Sequence, residues 1–370
     1  MSGRDSGESM SRNRLFSFAA GACLLAALAI AACGGDDDST PASGGAEAEE
    51  AQQEEVTLGA ALLGPKNDGS INEAAFMGLE AADEAMPELT ISAVLDNQDT
   101  EQKHVNSVQT LAGNNDLVYV LSNTFSPVLD VEAPRFPDVE FIGIEAYTPT
   151  LHENVYAAAV DWGASSYVAG VLAGQLTETD VVGFIGGAEI PPTVQSQTGF
   201  EAGAKSVNPE VTVLKNITGN FQDVALAKEA AAAMIQQDAD VILPWLDAGV
   251  AGAYQAGDES GENPAMFKLT IPDCEAYDNM VGTAAVNTVE LTKKLIASVA
   301  NGKATPGAAF IGLQDPDLQT LALCPQYEED EEVAELTQQT IDDINSGEVT
   351  LPDDALNPRP DYEYTEGLAE

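Results

Sequence analysis

Positive charge is scarce in this chain. Across 370 residues, 14 Lys and Arg face 61 Asp and Glu, for a net charge of -47 at neutral pH. Gripping a nucleic-acid backbone takes clustered cations, so nucleic acid is not an expected partner. The acidity is dispersed, with some extra density over residues 328–332, and reads as a solvated surface. Histidine is nearly absent. His104 and His152 are the only two; both lie in polar sequence where exposure is expected, and they leave little for a histidine-based metal or general-base site. Neither Gly-x-Ser-x-Gly nor His-Glu-x-x-His occurs, so no hydrolase is signalled and no catalysis, metal or cofactor is expected. After residue 33 there is no second long apolar run, which places the folded part outside the bilayer.

The one long apolar run is near the start. Arg12 and Arg14 precede uncharged residues 15–32, which end in Ile30-Ala31-Ala32-Cys33. A basic start, an apolar centre and small residues before a cysteine mark an export signal, and the pattern resembles a bacterial lipobox with Cys33 as the lipidated residue. A membrane anchor or an ordinary cleaved signal is the alternative, but the run is slightly short for a span of about 20 residues. Residues 34–55 are mainly Gly, Ser, Ala, Asp and Glu without an aromatic, a composition that cannot bury a core and reads as an acidic flexible tether. Of the four cysteines, Cys23 falls in the signal, so Cys274 and Cys324 are the mature thiols. In an exported chain such a pair suggests a disulfide, with two separate buried thiols as the alternative. A bridge would tie the loop after a strand ending near Leu269 to a segment 50 residues later, and would steady the ligand side of the cleft.

The remainder alternates between apolar runs of strand length and amphipathic stretches. Residues 56–63, 117–121, 140–144, 181–185 and 241–243 read as strands; residues 72–86, 165–176, 224–237 and 288–301 read as helices. Alternation of this kind predicts an α/β fold with parallel sheets flanked by helices. Such sheets bind ligands beyond the carboxyl ends of their strands, so polar and aromatic residues just after strands are the site candidates. The first such loop holds Asn67, Asp68 and Asn72. Later loops hold Phe125, Glu145 with Tyr147, Phe221, Trp245 with Asp247, and Asp273. Aromatic faces beside amides and carboxylates suit a planar, hydrogen-bonding ligand. Each also has a structural reading: Asp68 and Asn72 as helix caps, Phe221 or Trp245 as core, Asp273 as a turn residue.

Several segments, in order, resemble the basic membrane lipoprotein (PnrA-like) family, the substrate receptors of nucleoside-type ABC importers. They are Asn67-Asp68-Gly69-Ser70-Ile71-Asn72-Glu73, Phe76-Met77-Gly78-Leu79, Asn154-Val155-Tyr156 and Tyr167-Val168-Ala169-Gly170, followed by residues 182–187, 199–205 and 238–242. The resemblance covers residues 56–347. It implies a type I periplasmic-binding-protein fold, with two α/β lobes joined by hinge strands, and a purine nucleoside or nucleobase as ligand. By position it implies polar contacts from Asn67, Asp68 and Asn72, stacking on Phe221, a ribose or base contact from Asp273, and Glu145 where the family has an aspartate facing the ligand. Two departures stand out. Ile71 replaces a stacking phenylalanine, whose place Phe76, Phe125, Tyr147 or Trp245 could take, and Asn287 stands where the family carries a ligand-binding lysine.

The expected organisation is a signal over residues 1–33, a tether over 34–55, a two-lobed domain over 56–350 and an acidic tail over 351–370. The first lobe would hold residues 56–160 with a return near 275–320, and the second lobe residues 161–272 with the C-terminal part. The expected role is a lipid-anchored receptor on the extracytoplasmic side of the cell membrane that hands a small molecule to an ABC permease and its ATPase. A surface sensor of the same fold, binding a sugar or another polar molecule without transport, is the alternative, and permease genes nearby would separate the two. Radiolabelled fatty acid should be incorporated by the wild-type chain and lost in Cys33→Ala; equal labelling of both would refute the lipobox.

Overall fold

The computed structural model describes residues 55–271, 273–356 and 365–366; the signal, Cys33 and most of the tether lie outside the described residues. The chain builds β1 (Val56–Leu62), α1 (Ile71–Ala85), β2 (Leu89–Leu95), α2 (Glu101–Ala112), β3 (Leu117–Leu121), α3 (Ser126–Glu132), β4 (Glu140–Ile144) and β5 (Val155–Val160). It continues with α4 (Trp162–Leu176), β6 (Val181–Gly186), α5 (Pro191–Val207), β7 (Thr212–Ile217), α6 (Val224–Ile235), β8 (Val241–Trp245), α7 (Val250–Ser260), β9 (Ala265–Leu269) and β10 (Met280–Val286). Last come α8 (Thr288–Ala300), β11 (Gly307–Ile311), β12 (Gln319–Leu323), α9 (Pro325–Glu328), α10 (Glu331–Ser346) and the short β13 (Thr365–Glu366).

Two sheets result. The first runs β13-β11-β5-β4-β3-β1-β2 and the second β12-β10-β9-β8-β6-β7. All pairings are parallel except β10 with β12. Central strands such as β3 and β8 are buried along their whole length, as parallel strands covered on both faces must be. In each sheet the strand order reverses, between β1 and β3 in the first and between β6 and β8 in the second. Ligands settle at such switch points.

The lobe boundaries differ from the expectation. β10 belongs to the second sheet, where it pairs with β9, so the return within the expected segment is α8 and β11, and β13, expected in the acidic tail, pairs with β11 in the first sheet. Tyr119 of β3 and Thr292 of α8 share a hydrogen bond of 3.0 Å that fixes α8 there. The first residues of the expected tail are docked: Leu351 and Ala355 are buried. His104 is buried too, against the expectation of exposure, because its ring lies 4.2 Å from that of Phe125 and its Nε2 pairs with the Gln98 carbonyl at 2.7 Å.

Helix α4 is buried almost all round, which requires small residues where it meets α5. A Cβ on Gly203 would stand 2.1 Å from the Tyr167 carbonyl oxygen, so this crossing tolerates only glycine.

The chain passes between lobes at Asp161, at Asn287 and over residues 312–318. These crossings are bonded to one another. Asp161 N–H donates to the Ile311 carbonyl at 2.8 Å and Asn287 N–H to the Leu318 carbonyl at 2.8 Å, while Gln319 Nε2 donates to the Asp161 carbonyl at 2.6 Å.

Cys274 and Cys324 are joined, with a Cα–Cα distance of 5.6 Å and 50 residues between them. Cys324 N–H donates to the Val281 carbonyl, which puts the bridge near the start of β10, away from the strand ends that face the other lobe. Reduction should therefore lower stability by about 2–4 kcal/mol, mainly by freeing the unfolded chain, and change ligand affinity less. Denaturant unfolding with and without reductant measures this; two free thiols per unreduced, denatured chain would contradict it.

Candidate functional site

A cleft of about 620 Å³, counting its open mouth, lies between the carboxyl ends of the two sheets. The first lobe lines it with Leu63, Ser70, Ile71 and Asn72 after β1, Leu121, Ser122 and Asn123 around the end of β3, and Glu145 after β4. Trp162 enters from the first crossing. The second lobe adds Ile190 and Pro192 after β6, Phe221 after β7, Trp245, Leu246 and Asp247 at β8, and Leu269 and Thr270 at β9. Every wall is a strand end, the turn that follows one, or the first turn of the helix beyond it.

The first loop is held by its own side chains. Asp68 Oδ1 accepts from the backbone N–H groups of Ser70 and Glu73 at 2.8 and 3.1 Å. Its Oδ2 accepts from Asn72 Nδ2 at 2.7 Å, and Asn72 Oδ1 accepts from Gly64 N–H at 2.9 Å. These bonds shape the loop so that Ser70, Ile71 and Asn72 face the cleft. Ile71 keeps an apolar surface there, though not a stacking face.

The opposite wall is aromatic. The rings of Phe221 and Trp245 are 5.8 Å apart at 65°, and those of Trp162 and Trp245 are 5.5 Å apart at 88°, the edge-to-face arrangement that ring quadrupoles favour. Phe221 is held from below and behind. A Cβ on Gly187 would fall 2.0 Å from its ring, and its carbonyl accepts from Asp247 and Gly249 N–H at 3.1 and 3.0 Å.

Two carboxyl groups complete the site. Glu145 Oε1 accepts from Val160 N–H at 2.8 Å and from Trp162 Nε1 at 3.0 Å. Burial pushes the Glu145 carboxyl up to about 8; the two N–H donors pull against it and nearby Asp161 adds to it. Asp247 retains some exposure into the cleft, yet protein crowds it closely, and burial followed by the charge of Asp68 pushes it up to about 8 as well. Gln222 Nε2 donates to Asp247 Oδ2 at 2.8 Å. Among the described residues, no lining side chain is Lys, Arg or His.

Three lining residues carry left-handed backbone: Ser122 at φ 117°, Glu145 at φ 62° and Thr270 at φ 66°. The conformation is costly for side chains with a Cβ, most of all a β-branched one, and such strain gathers at functional sites.

Of the residues singled out in the sequence, Asn72, Glu145, Phe221, Trp245 and Asp247 come together here. Asp68 supports the loop from behind. The others are placed elsewhere. Phe125 is fully buried in the first-lobe core against His104, because the short helical turn after β3 folds it inward. Asn67 is exposed and Tyr147 half-buried, neither lining the cleft. Asp273 pairs with Lys268 Nζ at 3.3 Å, with its side chain 45% exposed. Asn287 caps α8, accepting from Glu290 N–H at 3.2 Å and donating to the Asp317 carbonyl at 3.2 Å. An amide at a crossing suits both bonds, and a lysine would make neither in the same way. Sequence reasoning missed Trp162 and Thr270: the first follows an alanine-rich strand that was not read, and the second lies two residues short of the loop that was.

The family profile described as ABC transporter substrate-binding protein PnrA-like matches residues 56–345. Basic membrane protein A of Borreliella burgdorferi is 25% identical over 224 residues, 59% of this chain and 64% of that protein. A purine-binding protein of Brucella abortus is 28% identical over 201 residues, 53% and 55% of the two chains. A nucleoside-binding protein of a Lactococcus lactis ABC transporter is 27% identical over 178 residues, 48% and 50% of the two. The chain thus spans between half and just under two thirds of the length of these relatives. Among solved structures, a solute-binding protein of an Aeropyrum pernix ABC transporter system superposes with TM-score 0.72 at 18% identity, covering 80% of this chain and 94% of that one. One from Conexibacter woesei gives 0.61 at 21% identity, covering 81% and 99%. At these identities the likeness is one of fold.

The carboxyls make a pH prediction. Ordinary values of 4.5 for Glu145 and 3.8 for Asp247 are raised to about 8 in the folded chain, so the folded state keeps protons that the unfolded state has released. Their contribution to stability is full below the ordinary values and is lost as pH rises through about 8. Overall acidic repulsion acts in the same direction, so variants are the control. Melting temperature followed from about pH 5 to 9 should fall with pH in wild type, and less steeply in Glu145→Gln and Asp247→Asn; equal slopes would refute the assignment.

Proposed function

The chain belongs to the PnrA-like family of ABC transporter substrate-binding proteins, and we propose that it captures a purine nucleoside or nucleobase between its lobes on the outer side of a membrane and delivers it to an ABC permease. Lipidation at Cys33 would tether it within reach of that permease. Binding and closure about the bonded crossings are the whole of the mechanism, with no chemical step.

One observation carries this reading: Phe221, Trp162 and Trp245 form an aromatic wall at the carboxyl ends of the strands, beside the carboxyls of buried Glu145 and part-buried Asp247. A flat heterocycle stacks on such a wall, and carboxyl groups pair with the N–H and O–H groups at its edge. A cleft lined without a cation favours an uncharged ligand over a phosphorylated one. The names of the Brucella and Lactococcus relatives, purine-binding and nucleoside-binding, point the same way.

Calorimetric titration with adenosine, guanosine, adenine, xanthine, a sugar and an amino acid tests the proposal. Phe221→Ala should weaken purine binding by roughly 1–3 kcal/mol, as lost base–aromatic stacking does. Asp273→Ala should change affinity little, since Asp273 faces Lys268 rather than the cleft. Melting of the empty variants controls for damage to the core. If no purine compound binds and a sugar does, the purine assignment fails.

A further inference from the structure

The aromatic wall holds a polar group that stacking leaves unused. Trp245 is only 7% exposed, and its Nε1 is buried with no hydrogen-bond partner in the protein. An indole N–H can only donate, and a buried donor without an acceptor is costly enough that native structures seldom leave one without a role. Trp162, the other tryptophan of the chain, is the internal contrast: its Nε1 donates to Glu145 at 3.0 Å.

A second unpartnered atom accompanies it. Thr270 is 4% exposed, and its Oγ1 is buried without a partner. Thr270 holds φ 66°, a conformation that a threonine adopts only when its surroundings impose it. β8 and β9 pair with Val241 opposite Ala265 and Ile242 opposite Met266. Continuing that register sets Trp245 level with Leu269 and next to Thr270, and both residues line the cleft.

We infer that Trp245 Nε1 and Thr270 Oγ1 form a hydrogen-bonding subsite, in which the indole donates to a ring nitrogen or carbonyl oxygen of the captured heterocycle and the threonine hydroxyl bonds beside it. This rests on the proposed nucleobase ligand and adds what distinguishes one base from another. Edge contacts from Trp162 and Phe221 fix the indole plane, so the N–H direction is set before the ligand arrives. A site built around such a fixed buried donor rejects an analogue that lacks the acceptor far more strongly than an apolar pocket rejects a change of size.

The test uses the full-length protein and whichever purine ligand binds most tightly in the titration panel. Trp245→Phe keeps a ring and removes the N–H; Thr270→Val removes the hydroxyl and keeps the β-branch. Trp245→Phe should bind about tenfold or more weakly. Deaza analogues replacing each ring nitrogen in turn, and one lacking the exocyclic oxygen, should include one that binds wild type and Trp245→Phe alike. Thr270→Val should also weaken binding of the parent ligand. With two tryptophans in the chain, the indole N–H resonances are directly comparable: on saturation the Trp245 signal should move downfield and become protected from exchange, while that of Trp162 moves less. Folded Trp245→Phe that binds every analogue as wild type does, or a Trp245 N–H unshifted at saturation, overturns the inference and leaves the nucleobase reading intact. Should Trp245→Phe not fold, the wild-type resonance and the Thr270→Val titration decide. Failure of wild type to bind any purine compound would overturn both.

Discussion

The arrangement depends on a small knot of hydrogen bonds where the chain crosses between lobes. Asp161 ends a strand of the first lobe and caps the first helix of the second, accepting from Ala164 N–H at 3.0 Å. Asn287 makes the reverse passage and caps α8. Because these residues also bond to the third crossing, the lobes can turn about one another only by bending segments already tied together. Glu145 extends the knot into the cleft, since its single oxygen Oε1 holds Val160 and Trp162, the residues on either side of Asp161. Whatever settles against Glu145 or Trp162 therefore acts on the first crossing directly.

The same arrangement explains how so acidic a chain tolerates carboxyls in its binding cleft. Burying two anions without a counter-cation is unfavourable, and such groups answer by keeping their protons. Near neutral pH, raised values of about 8 leave Glu145 and Asp247 largely uncharged. A neutral carboxyl both donates and accepts, which is more useful against the mixed edge of a heterocycle than an anion that only accepts.

What could be read in advance follows burial. Central strands such as β3 and β4 are apolar on both faces and were legible as short hydrophobic runs. The edge strands β2 and β7 mix exposed polar residues with half-buried ones, and the alanine-rich β5 and β10 carry weak strand propensity, so these passed unread. The site split along the same line. Phe221 and Phe125 look alike in sequence, each an aromatic shortly after a strand, yet one lines the cleft and the other fills the core. Only the path of the chain beyond the strand, a helical turn over Asn123–Phe125 that folds the ring inward, separates them. Thr270 was invisible for a related reason, since its backbone strain has no signature in residue type.

The matched family segments turn out to be largely scaffold. Asn154 donates from one amide to the carbonyls of Ala133, Phe136 and Val139. Asp240 accepts from Thr177, Glu178 and Thr179. Tyr167 and Gly203 belong to the close crossing of α4 and α5, and Asp68 shapes its own loop. Trp162, Phe221, Trp245 and Thr270, which give the cleft its aromatic and polar character, all fall outside those segments. The motifs that reveal the family thus lie mainly in the frame, while the aromatic and polar residues that would choose a ligand lie outside them. Kinship therefore carries the fold and the receptor role far more firmly than it carries the cargo, and the cargo has to be read from the indole, the threonine and the two carboxyls themselves.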